Sequence, residues 1–443
     1  SLGKIQQWKE TCIKNHSSCA KNEYVPLPTR VIDVGNVKPN LWHTARSYGA
    51  YTALSHCWGK ASTFTTTTAT LTERTEGMDI ATLPQTFHDA IVITRKLGLR
   101  YLWIDSICII QDDHEDWKRE AANMLDVYKN SYLTLSAMSA ENSHEGFLHR
   151  KRSPSHILAT RGWTLQELIL SNRVLHYSTE QMIWDCERRI REDGLSPTGL
   201  KYLGSSIKSI FKSNAFTPYI RWYHMVENYT SRNLTYSSDK FPAISGLARE
   251  TQKMTSDEYL AGLWRNDLTT GLMWVPKEKR KLDRASRYRA PSWSWAALDG
   301  PISYNAAICD EGQEFRLEVL EVKVKPAGFD KLGAVESGFI RATCCLKETK
   351  VLEKNVFDVY EFEDGQGWFC PDDGERPHNN SIWCMKVINK IYSGCSTVNI
   401  LPHGLALQPT MDSQNEFTRV GTFEIRARME WFSNCEKRTI TIV

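Results

Sequence analysis

The chain has 443 residues, with 55 basic and 52 acidic side chains and a net charge of +3. That charge is too mild to mark a nucleic-acid binder. Apolar residues make up 41% and charged residues 24%, which excludes a disordered or fibrous chain.

At this length, two large domains or about three of average size are expected. The longest apolar run, Tyr101 to Ile110, falls short of the roughly 18–20 residues of a membrane span and carries Asp105 in its middle. Ser1 to Lys4 leads into a polar, charged segment and not into the apolar core of a secretion signal, so a cytoplasmic location is expected.

In chain order, Tyr51 to Ser55 reads as a short buried strand and the Thr-rich stretch 60–82 as a loop. Pro84 then precedes an amphipathic helix from Thr86 to Leu97, with Phe87, Ala90, Ile91, Ile93 and Leu97 on or near one face and Gly98 at its end. Arg100 to Ile104 is a second strand finishing at Asp105, and Asp113 to Lys129 a second helix with an acidic first turn. Tyr132 to Ala137 is a third strand, Trp163 to Leu170 a short helix and Arg173 to Tyr177 a fourth strand. Strand and helix taking turns at this spacing predict a parallel sheet with helices on both faces.

Beyond it, Trp222 to Tyr229 and Ser245 to Lys253 read as helices, and Phe315 to Val324, Gly338 to Cys344 and Thr422 to Met429 as strands. The expected domains are 1–195 (α/β), 196–300 (a helical extension) and 301–443 (β-rich). Lys277 to Arg289 carries seven basic residues against two acids, without interleaved aromatics, and reads as a solvated loop. Pro291 to Trp295 (PSWSW) reads as packing between those parts.

Twelve cysteines in so long a chain read as reduced, buried thiols, with Cys57, Cys108, Cys186 and Cys384 in or beside apolar runs. Cys12, His16 and Cys19 can share one helix face and offer metal ligands, but no fourth ligand stands nearby in sequence, so no metal site is expected.

Chemistry belongs at the carboxyl ends of the parallel strands. There the sequence places Ser55-His56-Cys57-Trp58-Gly59 and Asp105-Ser106, with Arg161 to Glu167 bordering the same crevice. Ser55 and His56 are nucleophile and base by type, but adjacent residues of a strand point to opposite faces. Asp105 can bind a ribose hydroxyl or a metal, or simply cap the next turn. Glu167 lies one helical turn after Trp163, so an indole and a carboxylate project from one side and suit a nucleoside. The alternative is a core Trp163 with Glu167 paired to Arg161 or Arg173.

YTALSHCWG (Tyr51 to Gly59), LPQTFHDAI (Leu83 to Ile91), YLWIDSICIIQDD (Tyr101 to Asp113) and RGWTLQE (Arg161 to Glu167) resemble the successive motifs of the fungal heterokaryon incompatibility (HET) domain family. LTYSSDKFPAISGLA, YLAGLW and APSWSWAALDG resemble its usual extension. Members commonly carry a longer insert between the equivalents of Gly146 to Leu148 and Arg161 to Glu167 than the dozen residues here.

The HET domain is in turn similar to the TIR fold, a flavodoxin-like parallel sheet. RGWTLQEL resembles the Trp-Cys-x-x-Glu-Leu segment of TIR domains, with Thr164 in place of Cys. The resemblance implies a glycohydrolase that cleaves NAD between nicotinamide and ribose, with Glu167 catalytic. Ser55, His56, Trp58, Gly59, Asp105, Arg161 and Trp163 would bind the substrate. It implies no prosthetic group, NAD as substrate, a homo-oligomer or an allelic protein partner, and a role in self/non-self recognition and programmed cell death. A non-catalytic interaction module, or a biosynthetic enzyme acting on a small fungal metabolite, are the alternatives.

Overall fold

The computed structural model describes the whole chain except residues 1, 18, 20–22, 60–63, 149–156, 179–180, 187–189, 193–204, 278–280, 305–312, 316, 356–357, 394–397, 412, 414 and 427–428. The short insert between Leu148 and Arg161 and the expected boundary at 195 therefore lie largely outside the described residues. The chain divides into two compact units, Ser1–Asn214 and Ala215–Val443. The helical and the β-rich segments expected after 196 thus pack mostly within one unit.

The first unit opens with helix α1 (Leu2–Asn15) and is built on a mixed eight-stranded sheet. Its strands are β1 (Arg30–Asp33), β2 (Asn40–His43), β3 (Tyr51–Ser55), β4 (Tyr101–Trp103), β5 (Leu133–Ser136), β6 (Arg173–Tyr177), β7 (Met182–Cys186) and β8 (Ile190–Glu192). The order across the sheet is β8-β7-β6-β5-β3-β4-β1-β2.

Only the middle is parallel: β3 pairs with β4 and β5, and β5 with β6, all in the same direction. Both flanks are antiparallel, β1 against β4 and β2, and β7 against β6 and β8. The sheet is therefore mixed where a parallel one was expected. The reason is the length of the connections: a parallel neighbour needs a crossover of a dozen or more residues. The β1–β2 and β6–β7 links are only a few residues long, so those strands fold back as hairpins.

All five residues of β3 are buried, as a strand covered on both faces requires. Helix α2 (Gln85–Lys96) covers one face and is stopped by Gly98 in the left-handed region at φ 76°. Its Thr94 hydroxyl meets that of Thr52 at 2.6 Å. Helix α3 (His114–Asn130) covers the other face, with the Asp113 carboxylate accepting from the Glu115 and Asp116 amides at its start. Tyr51 and Tyr128 donate from and toward this face, to the Val127 and Leu54 carbonyls at 2.6 and 3.2 Å. Helix α4 (Thr164–Leu170) lies beside α3. The expected loop at 60–82 contains a short helix, Leu71–Glu76, and a 3-10 turn, Ile80–Thr82.

The second unit begins with helices α5 (Pro218–Thr230) and α6 (Pro242–Thr255), each with proline in its first turn. Trp222, Trp264, Trp274, Trp293 and Trp295 are fully buried in it. The Trp222 and Trp295 indoles both donate to the Gly262 carbonyl, at 2.9 and 3.1 Å. Gly262 has φ 95°, and a Cβ there would fall 2.5 Å from the Trp295 indole nitrogen. The tryptophans of PSWSW are thus packing residues.

The β-rich part comprises β9 (Gln313–Phe315), β10 (Glu318–Pro326), β11 (Val335–Lys354), β12 (Tyr360–Phe362), β13 (Gly367–Pro371), β14 (Ser381–Ser393), β15 (Val398–Pro409), β16 (Glu416–Ile425) and β17 (Lys437–Ile442). Strands β14-β15-β16-β13-β12-β11 pair in a ring that β11 closes onto β14. Phe362, Phe369, Phe423, Ile425, Trp431 and Phe432 share its core. The basic loop after Lys277 is held by acids: Lys281 pairs with Glu375, Arg284 with Asp373 at 2.6 Å and Arg289 with Asp299 at 3.0 Å.

Candidate functional site

Numbered among themselves, the four parallel strands β3, β4, β5 and β6 lie in the order 2-1-3-4. Such a sheet has its topological switch point between strands 1 and 3, and ligands bind outside the carboxyl ends there. In this chain the switch point lies between β3 and β5, where Ser55 stands in register with Ser136. Ser136 is in turn in register with His176 of β6, so the three side chains form a row on one face.

Helix α4 is pinned above that row at both ends. The Thr164 hydroxyl donates to the Leu158 and Arg161 carbonyls, 2.8 and 2.9 Å away, and so fixes the first turn. At the other end the Ser171 hydroxyl donates to the Glu167 carbonyl at 2.6 Å and meets the Thr134 hydroxyl of β5 at 2.7 Å.

This fixes Glu167, which is 5% exposed. Burial, and then the negative charge of Asp105, push its carboxyl up to about 7. The Ser55 hydroxyl, the Arg161 guanidinium and the Tyr128 hydroxyl act in the opposite direction and lose. Among the described residues no ion pair joins Glu167 to an arginine. Arg161 donates to the His56 carbonyl at 2.6 Å, and Arg173 to the Tyr132 carbonyl at 2.9 Å.

The polar atoms around the rim are poorly satisfied. Among the described residues, Ser106 Oγ, Ser136 Oγ and both ring nitrogens of His56 are buried without a partner at hydrogen-bond distance. Orphaned buried polar groups each cost about 1–3 kcal/mol, so a cluster of them at a strand-end crevice fits a site shaped for a polar ligand.

His56 turns to the opposite face from Ser55, edge-on to Phe87 of α2 at 5.1 Å. Burial pulls its pKa down to about 4, and the ring is neutral. Cys57 packs with Met138, Leu158 and Ile183, and burial pushes its thiol up to about 11. Neither forms a dyad with Ser55.

Asp105 is held by two donors, the Trp58 indole at 2.9 Å and the Ser106 amide at 2.8 Å. It stays 21% exposed, so one carboxylate at the rim faces water while the other is buried. Trp163 is half-buried and edge-on to Trp117 at 6.3 Å. Gly59 has φ 84°, and a Cβ there would sit 2.4 Å from the Cβ of Asn142. The structure thus brings Ser55, Asp105, Arg161 and Glu167 together, with Trp58 behind Asp105 and the His56 ring on the other face, its Nδ1 3.8 Å from an Asp105 carboxylate oxygen.

Two participants are not read from sequence: Tyr128 reads as core by its helical spacing, and Ser136 closes a strand without being singled out, whereas Ser106 stands beside Asp105 as expected. For Ser136 the strand end was the available signal. A separate cavity of about 310 Å³ is lined by Phe64, Thr67, Arg74 and His144, among others. Phe64 packs edge-on against Phe87 of α2.

No helix among the described residues is long and apolar enough to cross a membrane. No curated protein and no solved structure gives a significant match to the chain. Residues 51–157 match the family model described as Heterokaryon incompatibility protein (HET). The matched segment includes Ser55 to Gly59, Asp105, Tyr128 and Ser136, and it ends before Arg161 to Glu167. Over residues 51–157, which hold the sheet rim and the parallel strands up to β5, the chain is accordingly similar to the heterokaryon incompatibility (HET) family.

Proposed function

We propose that the rim of this HET domain cleaves the nicotinamide–ribose bond of NAD, with Glu167 as the catalytic carboxylate, in an incompatibility response that ends in programmed cell death. The observation that supports this reading is a buried acid that forms no ion pair among the described residues, set at the switch point beside the Ser55 and Ser136 hydroxyls. The TIR resemblance of RGWTLQEL points to the same residue.

The chemistry asks little of the protein beyond electrostatics. As the C1′–N bond breaks, its electron pair goes to the pyridinium nitrogen and nicotinamide leaves neutral, so no general acid is required. The ribose is left as an oxocarbenium-like cation, which water captures with loss of a proton. A carboxylate that accepts from the ribose hydroxyls stabilises that cation, more strongly at low dielectric. The Ser55 and Ser136 hydroxyls would hold the sugar, Trp163 would pack against a ring, and Arg161 with the backbone at Trp58 and Gly59 would face the phosphates.

Glu167 is so little exposed that a ribose reaches it only when rim side chains move aside. That burial favours a second reading, a HET module that signals by associating with its own copy or an allelic partner, without turnover.

Nicotinamide release by the purified chain decides between them. On the first reading, Glu167→Gln and Glu167→Ala lower turnover by about 100-fold or more, the scale of losing one transition-state contact. Equal turnover by wild type and variants, or no release alongside self-association that survives Glu167→Ala, would refute it and support the module.

A further inference from the structure

The three metal-ligand residues near the N-terminus acquire their fourth partner from the far side of the first unit. Cys12 lies in α1, His16 one turn later and Cys19 three residues beyond, where its amide donates to the His16 carbonyl. Cys186, the last residue of β7, joins them. One ligand atom from each of the four lies within 4.8 Å of every other.

We propose that Cys12, His16, Cys19 and Cys186 form a structural zinc site that ties helix α1 to the end of β7. The distances carry the assignment. A tetrahedral ion with Zn–S near 2.3 Å and Zn–N near 2.0–2.1 Å sets sulfur and nitrogen about 3.5 Å apart. In this chain Nδ1 of His16 stands 3.4 Å from Cys186 Sγ and 3.8 Å from Cys19 Sγ. One atom, Nδ1, faces both sulfurs, as a single bound ion requires.

Composition selects the metal. Three thiolates and one imidazole suit zinc, and oxygen-seeking calcium or magnesium is excluded. Four protein ligands leave no open position, which makes the site structural and not catalytic.

Charge gives independent support. Three thiolates and a divalent ion sum to −1 in a place where Cys12, Cys19 and Cys186 are all buried. The residue paired across the sheet with Cys186 is Arg173, itself fully buried. Its guanidinium lies beside Cys12 and over the Tyr132 ring, 5.2 Å from the centroid. A buried cation there would bring the whole group to neutrality, the condition under which such charges are tolerated inside a protein. Cys186 reads from sequence only as a buried thiol in or beside an apolar run, and the folded sheet brings it to α1.

The test is metal analysis of the full chain, purified without chelator. One zinc per chain is expected, with a fall to about a tenth or less in Cys186→Ser and in Cys12→Ser and no change in Cys370→Ser, a thiol in the second unit. Because a ligand variant can simply fail to fold, the wild-type chain is also stripped and titrated with Co²⁺. Thiolate-to-cobalt charge-transfer bands and the visible bands of tetrahedral cobalt should saturate at one equivalent, and zinc should displace them. A wild-type chain that takes up neither ion would overturn the proposal. So would a disulfide among Cys12, Cys19 and Cys186 found by mass spectrometry in protein prepared under reducing conditions.

Discussion

Two buried charges, one in each unit, are handled in opposite ways. Arg419 on β16 is fully enclosed and saturated: Nε and Nη2 donate to Asp372 at 2.8 and 3.0 Å, and Nη1 and Nη2 to the Leu272 and Trp274 carbonyls at 2.6 Å each. Its guanidinium also lies 3.4 Å from the centre of the Trp274 ring. Glu167 in the first unit is nearly as deep, forms no ion pair among the described residues, feels an Arg161 charge that does not offset its burial, and shares its surroundings with a second carboxylate. Folding tolerates a saturated ion because its partners replace water, whereas an unsaturated one destabilises the fold. Arg419 acts to fasten the segment around Trp274 to the barrel strands. Glu167 does nothing comparable for the fold, and that makes it the better candidate for chemistry.

The largest effect expected from this contrast is at Arg419. Arg419→Met leaves Asp372 and two carbonyls buried without donors, and should cost about 3–5 kcal/mol in the unfolding of the second unit. Adding Asp372→Leu should recover part of the loss and not all of it, since the Leu272 and Trp274 carbonyls stay orphaned. Urea unfolding of both variants measures this. A loss below about 1 kcal/mol in the single variant would show that the pair is not the fastening it looks like.

Glu167 should give the next effect, with the opposite sign. Its carboxyl sits near 7 in the folded chain against 4.5 for the free side chain. The folded state therefore holds more protons than the unfolded one between those values, and stability falls as pH rises through them. The whole loss is about 3 kcal/mol, complete above pH 7. Glu167→Gln should abolish that slope and leave the variant more stable than wild type above pH 7, while the NAD cleavage proposed for the wild type rises with pH as the acid ionises. Parallel stability profiles for the two proteins would mean that the carboxyl is ionised at no such cost, and the contrast with Arg419 would fail.

Much of the first unit was legible because its signals are local. Helix α2 shows its apolar face at helical spacing, with Pro84 ahead of it and Gly98 behind it. Strands β3 and β6 occupy the residues their patterns indicate. The flanking strands were not legible: β1 (RVID) and β2 (NLWH) are four residues each and carry no period that separates strand from loop. Missing them hid the antiparallel edges, so a mixed sheet read as a parallel one. At the rim, Glu167 and Asp105 were readable from motif and strand end. Ser136 was not, because what marks it is register with Ser55, a tertiary fact. Cys186 joins Cys12, His16 and Cys19 for the same reason, and its sequence neighbours say nothing of it.

The smallest effect isolates the comparison at the level of one hydroxyl. Ser294 Oγ, in the second unit, donates to the Ala261 carbonyl at 2.6 Å and accepts from the Ala296 amide at 3.1 Å. Ser136 Oγ, equally buried at the rim, has no partner at hydrogen-bond distance among the described residues. Alanine at 294 removes a satisfied group and orphans two others, so about 1–2 kcal/mol should be lost. Alanine at 136 replaces an unsatisfied hydroxyl by nothing, and stability should stay level or rise by up to about 1 kcal/mol. The two variants have the same chemistry and burial, so chemical denaturation compares them directly. If Ser136→Ala proved as costly as Ser294→Ala, the rim hydroxyl would be serving the fold. If it is neutral for stability yet weakens NAD cleavage, the hydroxyl is kept for a ligand, because a group that contributes nothing to folding has no other reason to stay polar inside a sheet.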